Sequence, residues 1–168
     1  MPAGHGDTPG GSYPPPMSTG TLPATDLRIM VGFDGSPPAT RALDGAVNLL
    51  QGRAGHIDVV YVAHMPSVAA LSPGAVAELE LGFDDVEREL RGVVGERLRG
   101  REDRWDFQRR QGLIAEELLG AAKDAVAAHP AATVVIVVGS SSLVAHRVVG
   151  SVAVSLVRHS PVPVVVVP

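Results

Sequence analysis

From Leu27 onward the chain alternates short apolar runs with stretches whose apolar residues recur every three or four positions. Arg28-Ile29-Met30-Val31-Gly32-Phe33 is a short apolar run, broken by Asp34-Gly35-Ser36-Pro37. Ser36 can cap a helix that begins at Pro37, where a missing N–H costs nothing. Ala39, Ala42, Leu43, Ala46, Val47 and Leu50 follow at helical spacing, with Gly52 as the stop. Ile57 to Ala63 reads as a second buried strand. Ser72-Pro73 predicts another helix start, continued by Val76, Leu79, Phe83, Val86, Leu90 and Val93 and weakened by Gly82, Gly92 and Gly95. Trp105 and Phe107 alternate with Asp106 and Gln108, as in a half-exposed strand. Ile114, Leu118, Ala122 and Val126 form a further helical stripe that ends at His129-Pro130. Val134 to Val138 is continuously β-branched, the pattern of a strand covered on both faces. Val152, Ala153, Leu156 and Val157 predict a last short helix, and Val162 to Val167 a last strand.

Strict alternation of strand and helix predicts an α/β fold: an open parallel sheet with helices on both faces and right-handed crossovers. Ligands of such sheets sit beyond the carboxyl ends of the strands, where the strand order reverses. Two segments that leave strand ends have unusual composition. One is Gly32-Phe33-Asp34-Gly35-Ser36. The other is Gly139-Ser140-Ser141-Ser142, continuing to Gly150-Ser151. If the first and fourth strands are neighbours, both face one crevice. Gly139 allows a sharp turn and close approach of a ligand to the backbone. Gly150-Ser151 opens the last helix, whose unpaired N–H groups and partial positive charge suit a phosphate. His146 and Arg147 add charge nearby. Each feature also has a plainer role: Ser151 as a helix cap, Asp34 as the acceptor of a side-chain-to-backbone turn.

Composition narrows the function classes. The 168 residues suit one domain, and with 45% apolar but only 4% aromatic residues the core must be built from Val, Leu, Ile and Ala. Net charge is -4 with no basic stripe, which argues against nucleic acid as a partner. The absence of cysteine excludes thiol catalysis and Cys-ligated metals. No apolar stretch approaches membrane-spanning length and no leader pattern opens the sequence, so no membrane association and a cytoplasmic location are expected. Residues 1–26, rich in Pro, Gly, Ser and Thr, are expected to form a disordered arm ahead of a domain over residues 27–168.

Other chemistries find no pattern. No Gly-Lys-Ser/Thr and no G-x-G-x-x-G occurs. Gly139-Ser140-Ser141-Ser142-Leu143 begins like a nucleophile elbow, but Leu143 replaces its second glycine. The six histidines show no ligand spacing, so no metal site is expected. No catalytic residues are expected, and at most slow nucleotide hydrolysis.

Together, Val31-Gly32-Phe33-Asp34-Gly35-Ser36, Gln111-Gly112 before the Ile114 helix, Val134 to Ser140, Gly150-Ser151-Val152-Ala153 and Pro161 to Val167 resemble the universal stress protein family, in order and spacing. The resemblance implies a Rossmann-like, five-stranded parallel sheet of order 3-2-1-4-5 and a stress-response role. It also implies a homodimer, for which Val162–Val167 is the candidate edge, since Pro161, Pro163 and Pro168 are tolerated on an edge strand. In the family's nucleotide-binding branch it implies ATP or another adenine nucleotide in the crevice. Asp34 and Val62 would then meet the adenine, and Gly139 the ribose. Ser142, Gly150 and Ser151 would meet the phosphates, with Ser140 and Val152 completing the set. Two departures stand against a triphosphate. Ser142 replaces a glycine of that branch, and only Leu143 to Val149 precede Gly150-Ser151, about two residues fewer than its pattern. A smaller anion, an AMP-like ligand or a vestigial crevice are the alternatives.

Overall fold

The computed structural model describes residues 26–63, 72–140 and 150–168. Apart from Asp26, the arm lies outside the described residues, as do Ser142, His146 and Arg147. The described elements alternate throughout: β1 (Leu27–Gly32), α1 (Pro37–Leu49), β2 (Gly55–Ala63), α2 (Pro73–Arg97), β3 (Trp105–Gln111), α3 (Ile114–Ala128), β4 (Thr133–Gly139), α4 (Ser151–His159) and β5 (Val164–Val167). All strand pairs are parallel, and the order is β3-β2-β1-β4-β5, the order expected from the resemblance.

Local chemistry sets the helix starts. The Ser36 side chain accepts from the Ala39 amide and the Ser72 side chain from the Ala75 amide, with Pro37 and Pro73 just inside each helix. Strand alternation divides the core into two layers. Ile29, Val31, Ile57 and Val59 face α1 and the end of α2, packing on Ala42, Leu43, Ala46, Leu90 and Val94. Met30, Val60, Ile136 and Val138 face α3 and α4, packing on Leu118, Ala122, Ala153 and Leu156. Each Val, Leu or Ile side chain so buried contributes about 1.5–3 kcal/mol, which lets the core do without many aromatics.

Two expectations are corrected. The stripe from Val76 to Val93 does not face the core along its whole length: Val93 is 43% exposed, and Leu90, Val94 and Leu98 are the buried positions. The steps of this stripe average 3.4 residues, so it drifts around a helix of 3.6 residues per turn: Val86 and Val93 come to face solvent, while Leu90, Val94 and Leu98 hold the end of α2 on the core. The last strand starts at Val164 rather than Val162. The Val162 amide donates to the Ser160 hydroxyl oxygen at 3.2 Å, and that hydroxyl donates back to the Val162 carbonyl at 2.7 Å. Val162 is therefore tied into a local turn. Pro163 lacks a donor, yet its carbonyl accepts from the Ile136 amide at 2.9 Å, so the proline sits at the start of the β4–β5 ladder as an acceptor only. Among the described residues no helix is long and apolar enough to cross a membrane.

Candidate functional site

β1 and β4 are neighbours, with Val31 opposite Val137, while β2 and β5 lie on opposite flanks. The strand order reverses between them, and the chain leaves Gly32 and Gly139 at the same end of the sheet. A cleft of about 220 Å³ opens there. Asp34, Val62, Gly139, Gly150, Ser151 and Val152 all line it, against an apolar wall of Val60, Leu118 and Val138. Six of the eight residues singled out from the sequence thus converge on one cleft, from the ends of β1, β2 and β4 and the start of α4.

Asp34 is exposed, and its Oδ1 accepts from the Ser36 amide at 3.0 Å. It makes the turn its plainer reading foresaw while lining the cleft. Gly35, at φ +80, supplies the backbone that this turn requires. Gly139 has a reason beyond the one foreseen. A Cβ there would run into the Pro38 backbone, lying 2.8 Å from its Cα and nearer still to its carbonyl. The missing side chain lets β4 end directly against the first turn of α1. Ser140 is not among the cleft-lining residues. Its amide donates to the Val167 carbonyl at 2.7 Å and its carbonyl accepts from Arg41 at 3.3 Å, which draws its backbone toward the end of β5. Ser142 lies outside the described residues.

Ser151 does not cap α4. It is the first helical residue, Gly150 holds the cap position, and among the described residues no side-chain cap bond is made at this helix start. The first intrahelical bond runs from the Val154 amide to the Gly150 carbonyl at 3.0 Å. Among the described residues the amides of Ser151, Val152 and Ala153 have no acceptor, and all three residues line the cleft. With no acidic residue in its first turn, α4 turns the positive end of its dipole, and donors that are unpaired among the described residues, toward the cleft.

The opposite pole of the sheet carries a group that spacing alone did not disclose. Arg28 holds the buried Asp58 with two bonds, Nε to Oδ2 at 2.6 Å and Nη2 to Oδ1 at 2.7 Å. His56 Nε2 lies 3.0 Å from Asp106 Oδ2 and 3.9 Å from Asp58 Oδ1. His56, Asp58 and Asp106 thus bring potential ligand atoms within 4.8 Å of one another, a grouping that the spacing of the histidines does not show. His56 and Asp58 share a strand face at a spacing of two, but Asp106 joins them through the β2–β3 register, in which it sits opposite Asp58. Both Asp58 oxygens are already engaged by Arg28, which makes this an ion-pair network before anything else.

Known structures share this fold. Universal stress protein UspA from Lactobacillus plantarum is similar at a TM-score of 0.66 and 25% identity, over 86% of this chain and 99% of that one. A universal stress protein solved in complex with cAMP is similar at 0.60 and 20% identity, over 86% of this chain and 98% of that one. A universal stress protein family protein from Arabidopsis thaliana with AMP bound is similar at 0.58 and 13% identity, over 84% of this chain and 90% of that one. No curated protein matches the chain. The universal stress protein family model matches residues 27–168, so the chain, through its αβ sheet and the crevice at the β1–β4 switch point, belongs to the universal stress protein family.

Proposed function

We propose that the chain is a stress-response binding module whose crevice takes an adenine nucleotide, with a monophosphate favoured over a triphosphate. The observation that carries this reading is the cleft itself, where Asp34, Val62 and Gly139 meet the uncapped start of α4. Its apolar wall suits a base, and the amides of Ser151 to Ala153 suit a phosphate. Relatives of the same fold have been solved with cAMP and with AMP, both monophosphates. The shortened stretch before Gly150 and the serine at position 142 favour a small phosphate group in the same direction.

Calorimetry with AMP, ADP and ATP tests the reading. AMP is expected to bind and ATP to bind more weakly. No heat from any of them at millimolar concentration, with the protein folded, overturns it.

A second reading concerns assembly. β5 is an edge of the sheet and its four valines are half-buried. Such an edge, with unpaired backbone groups and an apolar face, favours pairing with a second copy. Light scattering is expected to give the mass of a dimer, and a monomer at micromolar concentration contradicts this reading.

A further inference from the structure

Arg41 lies one turn into α1, yet it bonds to two segments far along the chain. Its Nε donates to the Pro168 carbonyl at 2.7 Å, and its Nη2 donates to the Ser140 carbonyl at 3.3 Å. The Ser140 amide in turn donates to the Val167 carbonyl at 2.7 Å. One turn further along α1, Gly45 lies against Val167 so closely that a Cβ would meet its Cγ2 at 2.9 Å. Ser140 directly follows Gly139, which lines the cleft and rests on Pro38. One guanidinium therefore joins the point where the chain leaves β4, the end of β5 and the first turns of α1. A planar fork of donors can serve two carbonyls at once in fixed geometry, which a lysine cannot. Arg41 itself does not line the cleft.

We infer that Arg41 is a positioning residue for the crevice: it fixes the Gly139–Ser140 rim against the end of the edge strand, so that ligand affinity depends on a side chain the ligand does not touch. This rests on the nucleotide reading above. It predicts a loss that does not distinguish ligands with a phosphate from ligands without one, because the rim and not the anion seat is what Arg41 holds.

The test titrates the full chain and its Arg41→Met and Arg41→Lys variants with AMP and with adenosine, and follows hydrogen exchange at the Ser140 amide without ligand. Arg41→Met is expected to weaken both ligands by the same factor, about five- to tenfold, the equivalent of about one ordinary hydrogen bond, and to speed Ser140 exchange. Arg41→Lys is expected to recover part of both effects, and it stands in if Arg41→Met does not fold. A loss confined to AMP makes Arg41 a phosphate contact and overturns the inference, as does unchanged affinity in a folded variant. If the unaltered chain binds neither ligand, the nucleotide reading fails separately. Ser140 exchange then decides whether Arg41 fixes the rim: faster exchange in the variants supports it, and unchanged exchange overturns it.

Discussion

Gly139 and Pro38 meet backbone to backbone: the end of β4 sits on the first turn of α1 with no room for a side chain between them. This contact sets the distance between the two segments that frame the crevice, so the site inherits its geometry from core packing. Gly139→Ala forces one of them to move. Overpacking of this kind costs about 1–3 kcal/mol, and urea unfolding is expected to show a midpoint lowered accordingly. An unchanged midpoint contradicts the contact.

Ser151 separates an anion seat from a helix cap. Replacing a serine that caps a helix costs about 1 kcal/mol, but Ser151 makes no capping bond. Ser151→Ala is therefore expected to leave thermal stability nearly unchanged while weakening AMP several-fold. Ser36→Ala is the control: it removes the bond to the Ala39 amide and is expected to lower stability. A large stability loss from Ser151→Ala assigns that serine to the helix instead.

The Arg28–Asp58 pair is buried on the aspartate side, with only 8% of that side chain exposed. Asp58→Ala strands a guanidinium among β1 and β2, and removing one partner of such a pair costs about 3 kcal/mol or more. The double change Arg28→Met with Asp58→Leu is expected to restore most of that stability, as read by chemical denaturation. Since both residues lie at the pole away from the crevice, AMP affinity is expected to stay level in the double variant.

Glu102 carries the pH signature of the turn before β3. The Gly100 amide donates to its Oε1 at 2.7 Å. That bond, together with one from its own amide and the nearby Arg99, holds the Glu102 carboxyl below the ordinary carboxylate range. A carboxyl depressed in the folded state stabilises the fold above its unfolded value, and the contribution disappears as pH falls through the folded value. Glu102→Gln is expected to flatten the acid limb of stability against pH, and an NMR titration of Glu102 is expected to show the depressed midpoint.

The strands and helices were legible in the sequence because each buried face has a period: β-branched runs for β1, β2 and β4, and three- and four-residue steps for α1, α3 and α4. Strand order followed from the family motifs and not from periodicity, which says nothing about neighbours. The extent of the α2 contact was not legible, because a near-heptad stripe looks amphipathic along its whole length, whereas α2 buries only Leu90 and Val94 near its end. The residues of the crevice were legible as segments leaving strand ends, but the reason for Gly139 was not. Its neighbour is Pro38, about a hundred positions earlier, and only the folded chain brings them together. The same holds for Asp106, which reaches His56 and Asp58 only through strand register, and for Arg41, whose partners are 99 and 127 positions away.

The central claim is that an adenine monophosphate occupies the β1–β4 crevice with its phosphate at the start of α4. Backbone NMR of the chain titrated with AMP tests it most directly. The account predicts shifts confined to Asp34, Val62 and Gly139 and to Gly150 through Ala153, largest at the Ser151 and Val152 amides. Shifts centred on Arg28, His56 and Asp58 at the opposite pole, or none at saturating millimolar AMP, contradict it.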